Sequence, residues 1–238
     1  MAKDPKKQQA KMLKKRRKDK ERQKKRSLPI LGQTSSHGIL RKARQFPIID
    51  CQISTDWKGG EGGLLQIAIA RQQDDERITY GVYLLDQFLL GLKNTLYETN
   101  VTFSDYRREV LHHIAQSTPL ERCTPELAHQ FVYQAIDYAD KYGFKPHRDF
   151  KWTRLILEPR GTLAEPYQLT FGKDGKPFFV AGPYDNAEAI IAKLTKTAGP
   201  GNFDYLVPVG NPLDDEAMDW LLADQDETEE PSDEQDEG

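Results

Sequence analysis

Fourteen of the first 26 residues are Lys or Arg against three acidic ones, while residues 214–238 hold thirteen Asp or Glu and no Lys or Arg. The two ends therefore carry +11 and −13, and residues 27–213 between them are close to neutral at −1. Chain ends of this kind have too few apolar residues to offset the entropy of ordering their backbone, so both are expected to be disordered. Only the middle, which holds nearly all the Phe, Tyr, Ile and Val, can build a core, and it is long enough for one domain. The expected organisation is a basic arm over 1–44, a globular domain over 45–212 and an acidic tail over 213–238.

Within the middle, hydrophobic periodicity predicts the elements. Ile48–Ile53 reads as a first strand, and Leu64–Arg71 with Arg77–Leu85 as a hairpin closed by the polar Gln72–Glu76. Ile78, Tyr80, Val82 and Leu84 alternate with Thr79, Gly81 and Tyr83, the period of a half-buried strand. Phe88, Leu89, Leu92 and Leu96 suggest a short helix over Phe88–Tyr97 interrupted by Gly91. A helix over Ser104–Gln116 would place Tyr106, Val110 and Ile114 on one face. The clearest helix is Thr124–Tyr142, with Thr124 as cap, Pro125 at its first position, Glu126 at the positive end of its dipole and Gly143 as a left-handed stop. Tyr167–Phe171 and Phe178–Ala181 flank Asp174-Gly175, a strong hairpin signal, and are followed by a helix over Asn186–Thr197 and a strand over Phe203–Val209. Strands and helices joined by hairpins argue for an α+β fold, a single domain of antiparallel hairpins and about four helices.

Few residues carry a chemical signal. Asp86 stands where a strand leaves the sheet, with Lys93 beyond it, and Lys141–Phe150 joins a helix stop to His147, Arg148 and Asp149. With Asp185, the set Asp86, His147 and Asp149 would supply acid–base groups or metal ligands if a cleft gathered them. No metal-ligand spacing occurs: His112 and His113 are adjacent on a helix, and His129 is expected on the polar side of its own. Gly59–Gly63 precedes a strand rather than a helix, contains Glu61 and lacks a following Lys-Ser/Thr, so it reads as a loop and not a phosphate cradle. Cys51 and Cys123 are the only cysteines and are expected as reduced, partly buried thiols. No metal or cofactor is expected. No stretch approaches the about 20 apolar residues that span a bilayer, so the expected location is the cytoplasm.

Three segments also carry a resemblance. Gly81-Val-Tyr-Leu-Leu-Asp86 with Leu90-Gly-Leu-Lys93, then Tyr138–Phe150, then Gly172–Asp185, look like a family of uncharacterised bacterial proteins over about residues 46–209. The resemblance implies that this stretch is one unit and brings no mechanism with it.

The arm points to a partner. Lys14, Lys15, Arg16, Arg17, Lys18, Lys24, Lys25 and Arg26 form clusters of the kind that neutralise phosphates and release counterions. The arm lacks the aromatic and Leu face of an interfacial helix, so nucleic acid, RNA more than DNA, is the expected partner rather than a membrane. A non-enzymatic RNA- or ribosome-associated protein is thus the first expectation, its acidic tail competing for the arm or recruiting a basic protein. The alternatives are a hydrolase or nuclease built on Asp86, His147 and Asp149, and a protein-interaction adaptor.

Overall fold

Strands β1 (Ile48–Ser54), β2 (Leu64–Gln72), β3 (Ile78–Asp86), β4 (Gly91–Val101) and β5 (Leu120–Arg122) form one antiparallel sheet in the order β4-β3-β2-β1-β5. The structure is a computed structural model and describes residues 36–58, 63–73, 75–162, 167–182 and 185–207. The basic clusters of the arm and the acidic tail lie outside the described residues, as do Gly59–Gly62 of the glycine cluster. The α+β class read from the sequence is the class observed.

The sheet is covered on both faces. One face carries Ile53, Leu65, Ile67, Ile69, Tyr83, Leu85 and Leu92 against helix α4 (Pro125–Lys141). The other carries Ala68, Ala70, Tyr80 and Val82 against Tyr106, Val110 and Ile114 of the helical segment Phe103–Ser117. This double cover corrects the reading of residues 78–86 as half-buried: all nine residues of β3 are buried, because Thr79, Gly81 and Tyr83 meet one layer as their neighbours meet the other. It also corrects the placing of His129, which is fully buried on a helix whose first half is enclosed on nearly every side.

The segment Phe103–Ser117 comprises α2 (Phe103–Asp105), a π-helical stretch Tyr106–Leu111 and α3 (His112–Ser117). A π-turn is wider than the 3.6-residue α-turn, so the strict four-residue spacing of Tyr106, Val110 and Ile114 stays on one face instead of drifting round it. The cap of α4 is as the sequence predicts, with Thr124 Oγ1 accepting from the Leu127 amide at 3.2 Å. Its end is a Schellman motif. The Gly143 amide donates to Asp140 O at 2.9 Å, the Phe144 amide donates to Ala139 O at 3.1 Å, and Phe144 packs against Ala139.

The expected helix over Phe88–Tyr97 does not form. Asp86 Oδ1 accepts from the amides of Phe88 at 2.8 Å and Leu89 at 3.1 Å, which holds Gln87–Leu90 as a turn. Gly91 then has φ +66, and its backbone lies so near α4 that a Cβ there would sit 2.6 Å from Ala135 O. The residues beyond it are strand β4. Spacings of four, as in Phe88, Leu92 and Leu96, suit a helix face and a strand face equally, which is why the pattern misleads. A bulge adds to the ambiguity: Leu84 pairs with Asn94 and Leu85 with Leu92, leaving Lys93 as the extra residue. Leu92 and Leu96 consequently pack on opposite faces of the sheet despite their even spacing.

Two further expectations change. Residues 36–42, assigned to the arm, form helix α1 (Ser36–Lys42), with Leu40 and the following Ala43 fully buried in the core, so the body begins before Phe46 and Gly38 lies within a helix. In the C-terminal part, Asp174 and Gly175 do form the tight turn, at φ +51 and +78, closed by the Lys173–Lys176 bridge. No ladder grows from it, since Pro177 lacks a donor and the Gly172 amide turns to Gln87 O at 2.9 Å. Tyr167–Phe171 is therefore not a strand. Strand β6 (Phe178–Val180) pairs instead in parallel with β7 (Asp204–Leu206), with helix α6 (Ala187–Thr197) as the crossover. Helix α5 (Phe150–Thr153) is a single turn between α4 and this unit.

Gly143 has φ +80, and a Cβ there would meet nothing closer than 3.8 Å. Gly143→Val is expected to cost more than about 1 kcal/mol from backbone strain alone. Gly91→Val should cost more still, since it adds overlap with α4. Urea midpoints of the two variants check both the values and their order.

Candidate functional site

The acid–base candidates resolve into two engaged groups. Asp86 is buried and spends one oxygen on the turn amides; burial raises its carboxyl above the usual range, opposed by Lys93 and by the amides of Phe88, Leu89 and Leu90. Lys93, turned out of the β4 alternation by the bulge, donates to Asp185 Oδ2 at 2.7 Å with both side chains largely buried. Asp185 Oδ2 also accepts from the Gly182 amide at 2.9 Å. Lys93 thus meets Asp185, from the far end of the chain, in a bridge that docks the C-terminal unit on the sheet.

His147 and Asp149 form the second group. The His147 amide donates to Leu92 O at 3.0 Å, which ties this turn to the edge of β4. The imidazole Nδ1 accepts from the Asp149 amide at 3.4 Å and lies 3.8 Å from the Asp149 carboxylate. Burial lowers the His147 pKa, against the pull of Asp149, favouring the neutral ring at pH 7. Among the described residues no group of three or more His, Cys, Asp or Glu is arranged to hold a metal ion. None of the described helices is long and apolar enough to cross a membrane.

A different constellation lies on the sheet face that carries Phe103–Ser117. Register pairs Gln52 of β1 with Arg122 of β5, and the helical segment above supplies Phe103, Arg107 and His112. Together with Asp50 they line a groove of about 480 Å³, and a neighbouring hollow shares Phe103, Arg107 and His112 and reaches Arg108. The cations differ in their company. Arg108 is paired with Asp105 and with Glu109. Arg107 and Arg122 are exposed and have no carboxylate partner among the described residues.

The acid in the groove is occupied. Asp50 is buried where β1 bulges at Ile49; one carboxylate oxygen accepts from Gln52 Nε2 at 2.9 Å and the other from the Tyr106 hydroxyl at 3.2 Å. Burial, then Asp50, pushes the Tyr106 phenol well up, so it remains a donor at any physiological pH. The groove therefore presents an imidazole and two guanidiniums with no carboxylate partner among the described residues, beside an aromatic ring and over a carboxylate held by Gln52 and Tyr106. Its residues come from three places in the sequence, and no motif links them. The usable signal would have been the pairing of β1 with β5, which places Arg122 beside Gln52.

No family model matches the chain, and no curated protein or solved structure matches it.

Proposed function

We propose that the protein is a non-enzymatic RNA-binding protein, of a kind that associates with RNA or ribosomes, in which the basic arm provides sequence-blind affinity and the groove on the body engages the strand. The observation that supports the groove's part is the pair Arg107 and Arg122, which have no carboxylate partner among the described residues. Guanidiniums flanking the Phe103 ring suit phosphates and a stacked base. RNA is preferred over DNA because single-stranded loops expose bases and backbone to a shallow groove of this form. The acidic tail would compete with RNA for the arm, or take a basic protein as partner.

The catalytic alternative has less support, because Asp86 accepts from turn amides and His147 and Asp149 bond within their own turn, away from the Lys93–Asp185 pair. The test is a charge reversal, Arg107→Glu with Arg122→Glu, in the full chain. Affinity for a single-stranded RNA oligonucleotide should fall at least about tenfold, and the dependence on log salt should flatten by about two. Thermal unfolding should be unchanged, since neither side chain packs in the core. Equal affinity and slope would remove the groove from the binding surface.

A further inference from the structure

The face of the sheet opposite the groove carries the two cysteines, and they are neighbours. Gln52 and Arg122 are register partners, so Cys51 and Cys123 stand opposite one another on the next rung, where the Cys123 amide donates to Cys51 O at 3.0 Å. Their sulfurs are 3.4 Å apart and both are free thiols. Antiparallel hydrogen-bonded partners have Cα atoms about 5.5 Å apart, inside the range of about 4.4–6.8 Å that disulfides bridge. Closing the sulfurs to about 2.05 Å needs side-chain rotation and little backbone movement.

We propose that Cys51 and Cys123 are a site of reversible oxidation by hydrogen peroxide, closing to an intramolecular disulfide that staples edge strand β5 to β1. The asymmetry of the pair assigns the roles. Cys123 is partly exposed and Cys51 is buried, which makes Cys123 the thiol assigned to react first. The hydrogen bond with Cys123, then burial, raises the Cys51 thiol, which suits it to wait as the resolving partner rather than to react first. Cys123 sulfur attacks the peroxide oxygen, the O–O bond breaks, and sulfenic acid and one water form. Cys51 sulfur then attacks Cys123 sulfur, the S–O bond breaks, and a second water leaves. The thiols lose two electrons and two protons, and one peroxide becomes two waters. This inference stands on the thiol geometry and is independent of the RNA-binding proposal.

The experiment treats the folded full chain with hydrogen peroxide, then alkylates under denaturing conditions and measures intact mass. The expected product is a monomer that has lost two hydrogens and takes up no alkyl groups, and dithiothreitol restores two alkylatable thiols. In Cys51→Ser, Cys123 should stop at sulfenic acid and be trapped by dimedone, with far less trapping in the unsubstituted chain. Two thiols still alkylatable after peroxide, or a bridge found only between chains, would overturn the proposal whether or not the variant folds.

Discussion

Raising the salt from 50 to 200 mM should lower the affinity of the full chain for single-stranded RNA by roughly 10³-fold. The expectation follows from the arm, where fourteen basic residues stand among 26 and a contact of about six with phosphates releases a comparable number of counterions. Residues 27–213 are nearly neutral, so most of the response is expected from the arm. Removing residues 1–26 should therefore abolish most of the binding and most of the salt dependence, leaving only the shallow slope due to Arg107 and Arg122. Titrations of both chains at four salt concentrations separate the two sources. A flat response in the full chain, or equal binding without the arm, would sink the arm's part in the function.

The largest effect on stability should come from Arg71→Ala, with an expected loss of about 3–5 kcal/mol, a large share of a domain's total. Arg71 lies in β2 with 2% of its surface exposed. Its guanidinium donates to Ile156 O and Phe46 O at 2.7 Å each and to Glu158 Oε1 at 2.6 Å. One side chain thus fastens the segment before β1 and the segment after α5 to the centre of the sheet. Truncation would strand two carbonyls and a carboxylate and open a cavity, and each of these costs free energy. Arg71→Met restores the volume and none of the donors, so it should recover only the cavity part. Denaturant unfolding of the two variants divides the loss, and a total below about 1 kcal/mol would mean that water or a shifted side chain replaces the guanidinium.

Legibility in the sequence followed how local each cause was. The Thr124-Pro125 start and Gly143 stop of α4, the helix α6 and the β2–β3 hairpin depend on residues within a few positions of one another, and they could be read directly. Helix α1 could not, because one turn of apolar contact, Ile39 and Leu40, is hidden among the charges of the arm. Residues 88–97 misled because their spacing fits two periods and because what decides between them, the approach of Gly91 to Ala135, is a tertiary contact. The candidate site was hidden for the same reason. Asp86, Lys93 and Asp185 read as separate polar residues in the sequence, yet Lys93 pairs with Asp185 and Asp86 accepts from backbone amides. Arg107 and Arg122 carry no signal in the sequence, and only the β1–β5 pairing and the helical segment above it bring them to one groove.

The turn Gln87–Leu90 also implies an order of assembly. Gln87 O accepts from the Gly172 amide, Phe88 O accepts from the Phe178 amide at 3.2 Å, and the bulge a few residues on presents Lys93 to Asp185. None of these groups is in place until β3 and β4 have paired around the turn, whereas the sheet needs nothing from residues 172–207 to form its own ladders. The C-terminal β6-α6-β7 unit is thus expected to dock last, on a platform already built. It is also the part that can leave first, so its amides should exchange with solvent through openings that leave the five-stranded sheet closed.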